Sequence, residues 1–190
     1  MNEHIFPQSC RSAYSRRRIL LTGISIFASL TCNRSFAQAP NWRQFRRDDL
    51  GFVIEFPDEP TVRDESESDP NSDLIRSFQA TSKFANMELS VGCEEYRTVI
   101  DPEQIWGHIA DVYTHHIPGI RLASVVNLPG RYPTRHYVAE PDPSYRGPTG
   151  FMSSTDMVTE KKWIDWMVIS DSPIETDPLA RRFFDSFSLL

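Results

Sequence analysis

Trp163-Ile164-Asp165-Trp166-Met167-Val168-Ile169 is apolar on both faces of an extended chain. A strand of that kind belongs in the middle of a sheet, because each of its faces has to be covered. Residues 151–160 read as the strand before it, and Lys161-Lys162 as the turn that joins the two. Further strands are expected at residues 120–127 and 134–139. Upstream, Gly51-Phe52-Val53-Ile54-Glu55-Phe56-Pro57 sets Phe52, Ile54 and Phe56 on one face. Leu74, Arg76, Phe78 and Ala80 alternate with Ile75, Ser77 and Gln79. Met87, Leu89, Val91 and Cys93 alternate with Glu88, Ser90, Gly92 and Glu94. The break at Ser82-Lys83 predicts a hairpin between these two runs, and Cys93 falls on the apolar face as an inert, buried thiol.

Asp101-Pro102 predicts a helix start, with Asp101 as N-cap and Pro102 at the first helical position. Ile105, Trp106, Ile109, Val112 and Tyr113 form its apolar stripe, and Pro118-Gly119 ends it after about His116. A closing helix from about Asp177 is expected to bury Leu179, Phe183 and Phe184. Strands, helix, strands, helix, with hairpin turns between strands, describe an α+β fold: a mainly antiparallel sheet packed with helices. Two loops are expected: an acidic one from Asp58 to Asp73, and a Pro/Gly-rich one over residues 140–150.

Residues 1–37 differ from the rest. Arg11 and Arg16-Arg17-Arg18 precede an apolar run over residues 19–30, and Ser35 and Ala37 form a small-x-small site. That pattern is a secretory signal peptide cleaved after Ala37, leaving residues 38–190 as a single domain. The apolar run falls short of the ~20 residues needed to span a bilayer, so no stable membrane insertion is expected once it is cleaved. The alternatives are a retained anchor and a lipoprotein acylated at Cys32, which Thr31 fits poorly. Ser15-Arg16-Arg17-Arg18-Ile19-Leu20 resembles the bacterial twin-arginine export signal, which implies export in the folded state. An Arg-rich signal of the ordinary secretory route is the other reading.

The 190-residue chain carries a net charge of −6, and removal of five arginines and one glutamate with the signal makes it −10. Such a balance argues against a nucleic-acid partner. Of the three cysteines only Cys93 lies outside the signal, so no intrachain disulfide can form there.

Three pieces taken together resemble a known family. They are Trp42…Gly51-Phe52-x-Ile54-x-Phe56-Pro57-x-x-Pro60, the helix opening at Asp101-Pro102, and Arg182-Phe183-Phe184-Asp185-Ser186-Phe187. The set resembles exported bacterial domains with the PsbP-like fold, related to an extrinsic subunit of photosystem II. The resemblance implies an antiparallel sheet between helices, an α/β/α sandwich, and a binding or assembly role rather than an enzymatic one. No site motif of that family maps onto this chain.

Four constellations have chemical potential. His108, Asp111 and His115 fall on one face of the central helix, with His116 turned toward the apolar stripe. Two imidazoles and a carboxylate suit a divalent metal ion; the other reading is a polar helix flank with histidines favoured by the helix dipole. Tyr145 and Arg146 sit between prolines and glycines, near Arg135 and His136 in sequence, and suit ligand or partner contact; the other reading is a stiff, solvated connection. The acidic loop lacks the spacing of a calcium loop and reads as a solvated segment. Cys93 is expected to be buried away from any base. Gly-x-Ser-x-Gly, Gly-x-Gly-x-x-Gly and Walker sequences are absent from the chain.

The expectation is therefore a periplasmic, exported, non-catalytic module that binds a protein partner or aids assembly, with no cofactor required. The alternative is a metal- or small-ligand-binding protein, a metalloenzyme among the options, that uses His108, Asp111 and His115.

Overall fold

The computed structural model describes residues 39–190, so the expected signal over residues 1–37 lies outside the described residues. In chain order these form β1 (Arg43–Arg47), β2 (Phe52–Phe56), β3 (Thr61–Ser66), β4 (Leu74–Phe84) and β5 (Met87–Tyr96). Then come α1 (Pro102–Asp111), a π-helical turn (Val112–His116), β6 (Ile120–Leu128), β7 (Thr134–Pro141), β8 (Phe151–Val158), β9 (Lys162–Ser170), α2 (Pro178–Asp185) and β10 (Ser188–Leu189).

Seven strands pair antiparallel in the order β3-β4-β5-β9-β8-β7-β6, which puts β9 in the centre, as its two apolar faces require. A second, three-stranded sheet, β1-β2-β10, holds β2. Each face of the large sheet has its own core. On one face Phe52, Ile54 and Phe56 of β2 pack with Phe183 of α2 against Phe78, Leu89, Val91, Cys93, Ile164, Trp166 and Val168. On the other, Ile105, Trp106, Ile109 and Tyr113 of the central helix pack on Tyr137, Ala139, Met152, Val158 and Ile169. The fold is thus α+β and mostly antiparallel sheet. The expected sandwich is changed in one layer, where a small sheet shares the cover with α2.

Both helix starts follow from their caps. Asp101 Oδ1 accepts from the Glu103 N–H at 3.0 Å, and Asp177 Oδ1 accepts from Leu179 and Ala180 N–H at 2.8 and 3.2 Å; Pro102 and Pro178 open the first turns. The helix does run to His116, but its last five residues are π-helical. An i+5 spacing brings His116 over Asp111, so His116 is exposed and turned away from the apolar stripe where it was expected.

Several boundaries differ from the sequence reading. Much of the expected acidic loop is β3, whose charges are compatible with a strand because it is a sheet edge with no face to bury. β1 and β10 also went unforeseen. The β4–β5 turn is Ala85-Asn86 rather than Ser82-Lys83, and Phe84 pairs with Met87. Ala85 holds φ at +54°, a left-handed conformation that turns usually assign to Gly or Asn, so no turn residue announces it. The β8–β9 turn spans residues 159–161, with Lys162 already in β9. Its backbone N–H donates to Thr159 Oγ1 at 3.0 Å.

An ion network joins the two sheets. Arg76 of β4 contacts Asp64 of β3 at 2.7 Å and Asp49 of the β1–β2 turn at 2.8 Å, while Arg47 of β1 reaches the same two carboxylates at 2.9 and 2.8 Å. Arg47 also lies over the Phe78 ring, 4.2 Å from its centroid.

Ala85→Gly is expected to relieve the strained turn. Urea unfolding should give a stability equal to or above the parent's, by up to about 1 kcal/mol, whereas alanine-to-glycine changes elsewhere usually destabilise.

Candidate functional site

Under α1 a polar row crosses the large sheet. Gly92 of β5, Asp165 of β9, Asp156 of β8, Arg135 of β7 and Asn127 of β6 are successive cross-strand partners. Two carboxylates therefore stand directly opposite each other, Cβ to Cβ at about 5 Å by strand geometry, where like charges oppose ionisation of both. Gly92 makes the row possible, since a Cβ there would overlap the Asp165 carboxylate.

Asp156 is 3% exposed and well supported. It accepts from Trp163 Nε1 and from Ser154 Oγ, both at 2.9 Å. Ser154 has one proton and gives it to Asp156, so the Tyr113 hydroxyl, 2.9 Å away, donates to Ser154. Tyr113 stacks on Tyr137, with ring centroids 5.8 Å apart. Arg135 lies over Trp106 at 3.7 Å, donates to Asn127 Oδ1 at 2.9 Å and approaches Glu103 at 3.6 Å. Trp106 Nε1 is buried without a hydrogen bond among the described residues, and the Tyr137 hydroxyl has only the Arg135 guanidinium nearby.

Burial lifts the Asp156 carboxyl above the ordinary carboxylate range. Burial also lifts Asp165, reinforced by the charges of Asp156 and Glu94. Burial pushes the Tyr113 hydroxyl up as well, and Tyr137 to about 12. The seam can hold one proton between two carboxylates at neutral pH, beside phenols that stay neutral.

The residues singled out from sequence are spread over the molecule. Asp111 divides its oxygens between His115 Nδ1 at 3.0 Å and His116 Nε2 at 3.1 Å. His108, half-buried, has its pKa lowered by that burial, with the Asp111 charge opposing the shift. Among the described residues no group of three or more His, Cys, Asp or Glu is placed to hold a metal ion. Tyr145 packs its ring over Gly119, where φ is +81° and a Cβ would lie 2.5 Å from the ring, so both backbone and space require glycine. Arg146 is exposed in the same loop. Arg135 and His136 are neighbours on β7 and so point to opposite faces. Tyr145 lies at the far end of the hairpin from both.

His136 faces the α2 side. Its Nδ1 meets Thr155 Oγ1 at 2.8 Å, its Nε2 meets Ser153 Oγ at 3.2 Å, and its ring stands edge-on to Phe184. Ser153 is 3% exposed, so this Ser–His contact is part of the packing. Cys93 is buried, and burial pushes its thiol up to about 12. Sequence reasoning missed Asp156 and Asp165. The available signal was an aspartate inside a stretch otherwise apolar on both faces.

The fold has a solved counterpart, the solution structure of cyanobacterial PsbP (CyanoP) from Synechocystis sp. PCC 6803. The similarity covers 85% of this chain and 99% of that one, with a TM-score of 0.52 and 11% identity. The fold is PsbP-like. No family model and no curated protein matches the chain. At this identity the PsbP-like likeness concerns backbone architecture alone, and the Asp156–Asp165 seam is read from this chain's own residues.

Folded-state carboxyl groups with raised pKa values keep a proton that the unfolded chain has lost. Stability therefore declines as pH rises from about 4 past neutrality. Asp165→Asn should remove much of that decline. Its melting temperature should gain on the parent's at about pH 8 and approach it at about pH 5. A constant difference across that range would contradict the shared-proton reading.

Proposed function

We propose that the chain is an exported periplasmic protein whose domain serves as a non-catalytic module for binding or assembly. The PsbP-like architecture supports this, as does the basic, apolar, small-x-small pattern of residues 1–37. The reading rests chiefly on how the chain places its side chains. Groups with nucleophilic or acid–base chemistry, Cys93, Ser153 and Asp156, are spent on packing and internal hydrogen bonds. Apolar side chains stand in the open instead: Val126 and Leu128, on one face of β6, are 49 and 39% exposed. Clustered exposed apolar residues are a mark of interaction surfaces.

The test is purification of the untagged gene product from periplasm of its own cells. A chain that begins at Gln38 and co-elutes with a specific protein is expected. A chain that begins at Met1 would overturn export. A processed chain that elutes alone at its native concentration would overturn the binding role.

A further inference from the structure

The two covers of the large sheet are offset. α1 lies over β7, β8 and β9 and the start of β6 on one face; on the other, the small sheet and α2 lie over β4, β5, β9 and part of β8. On the α2 side β6 itself is left open, with Phe184 reaching only as far as His136 of β7. There the exposed Ser124, Val126 and Leu128 stand in register beside Val138, His136 and Thr134, of which Thr134 is buried. β6 is also a terminal strand of the sheet, and residues 123–128 are exposed throughout.

The opposite edge shows what protection looks like. β3 reads Thr-Val-Arg-Asp-Glu-Ser and carries the Arg63–Glu65 pair along its border. β6 has no charged residue from Leu122 to Leu128. Charges gather at its two ends instead, with Arg121 within the strand start and Arg131 just past its finish. Residues 118–150 hold Arg121, Arg131, Arg135 and Arg146 against Glu140 and Asp142, a basic region in a chain of net −6. Arg135 is turned to the α1 face, and Arg121 shares Glu140 at 3.1 Å, so Arg131 and Arg146 are the outward cations.

Resting on the binding role proposed above, we infer that the β6 edge takes up an extended segment of a partner protein by strand addition. That segment alternates apolar residues, which cover Val126 and Leu128, and has carboxylates near its ends to meet the arginines. A second copy of this chain fits less well. Antiparallel pairing of two β6 strands about a two-fold axis would bring Arg121 of each copy close to Arg131 of the other.

Site-specific photo-crosslinking in the organism's own cells tests this. The full-length chain carries p-benzoylphenylalanine in place of Val126 or Leu128, with Val62 on β3 and Val99 as exposed controls, and crosslinked peptides are sequenced by mass spectrometry. Adducts at positions 126 and 128 to one apolar-alternating, acid-flanked segment are expected. A synthetic peptide of the captured segment should then bind the purified chain. Val126→Lys and Arg131→Glu should each weaken it by roughly tenfold or more with the melting temperature unchanged. Adducts to another copy of this chain, or to a basic or helical segment, would overturn the inference. Adducts at the control positions alone would overturn it while leaving the binding role standing. No adduct at any position would overturn both.

Discussion

Because Ile164, Trp166 and Val168 leave β9 on one side and Trp163, Met167 and Ile169 on the other, the central strand needs apolar cover above and below. Burial of one such side chain contributes about 1.5–3 kcal/mol, so neither face can be left to water. On one side Trp166 stacks on Phe187 with ring centroids 3.9 Å apart, which draws the segment after α2 onto the sheet. On the other, Ile169 joins Ile105, Ile109 and Tyr113 beneath the central helix. The helix, the small sheet and the closing segment all take their places from this double demand.

Asp165 is the exception within that strand. A carboxylate among apolar neighbours is costly unless it is neutral or paired. Here it is accommodated by the missing side chain at Gly92, and its pKa, raised by burial and by the charge of Asp156, favours the neutral form. Asp156 meets the same problem differently, through Trp163 and Ser154. The two aspartates, alike in sequence, thus have different supports.

Much of the fold was legible because its signals are local. The alternation around Phe52, Phe78 and Leu89 marks strand faces, and Asp101-Pro102 and Asp177-Pro178 mark helix starts, all within a few residues. What escaped depends on neighbours distant in the chain. Thr61–Ser66 is a strand only because β4 offers it an edge, and Ser188–Leu189 only because β2 does. Ala85 takes a turn conformation that its residue type does not signal. The histidine face was misjudged at His116 because a π turn changes the spacing from which faces are read. The aspartate pair required strand order and register, which periodicity along one strand cannot supply. Arg135 and His136 looked like one site in sequence and belong to two faces of the sheet.

The small sheet has a consequence for synthesis. Its middle strand β2 is synthesised long before β10, which pairs with it through Ser188↔Val53 and Leu189↔Phe52. The Glu55 N–H reaches Ser186 Oγ at 2.9 Å across 131 residues of separation. Phe52, Phe56 and Trp166 gain Phe183 and Phe187 as neighbours only when those residues exist. A nascent chain on the ribosome therefore carries β2 with one border open and its aromatic core half roofed until Leu189 has emerged. Contacts so far apart in sequence close late and slow the approach to the native state. During that interval the growing chain offers the bare border of β2 to its surroundings in addition to the edge of β6.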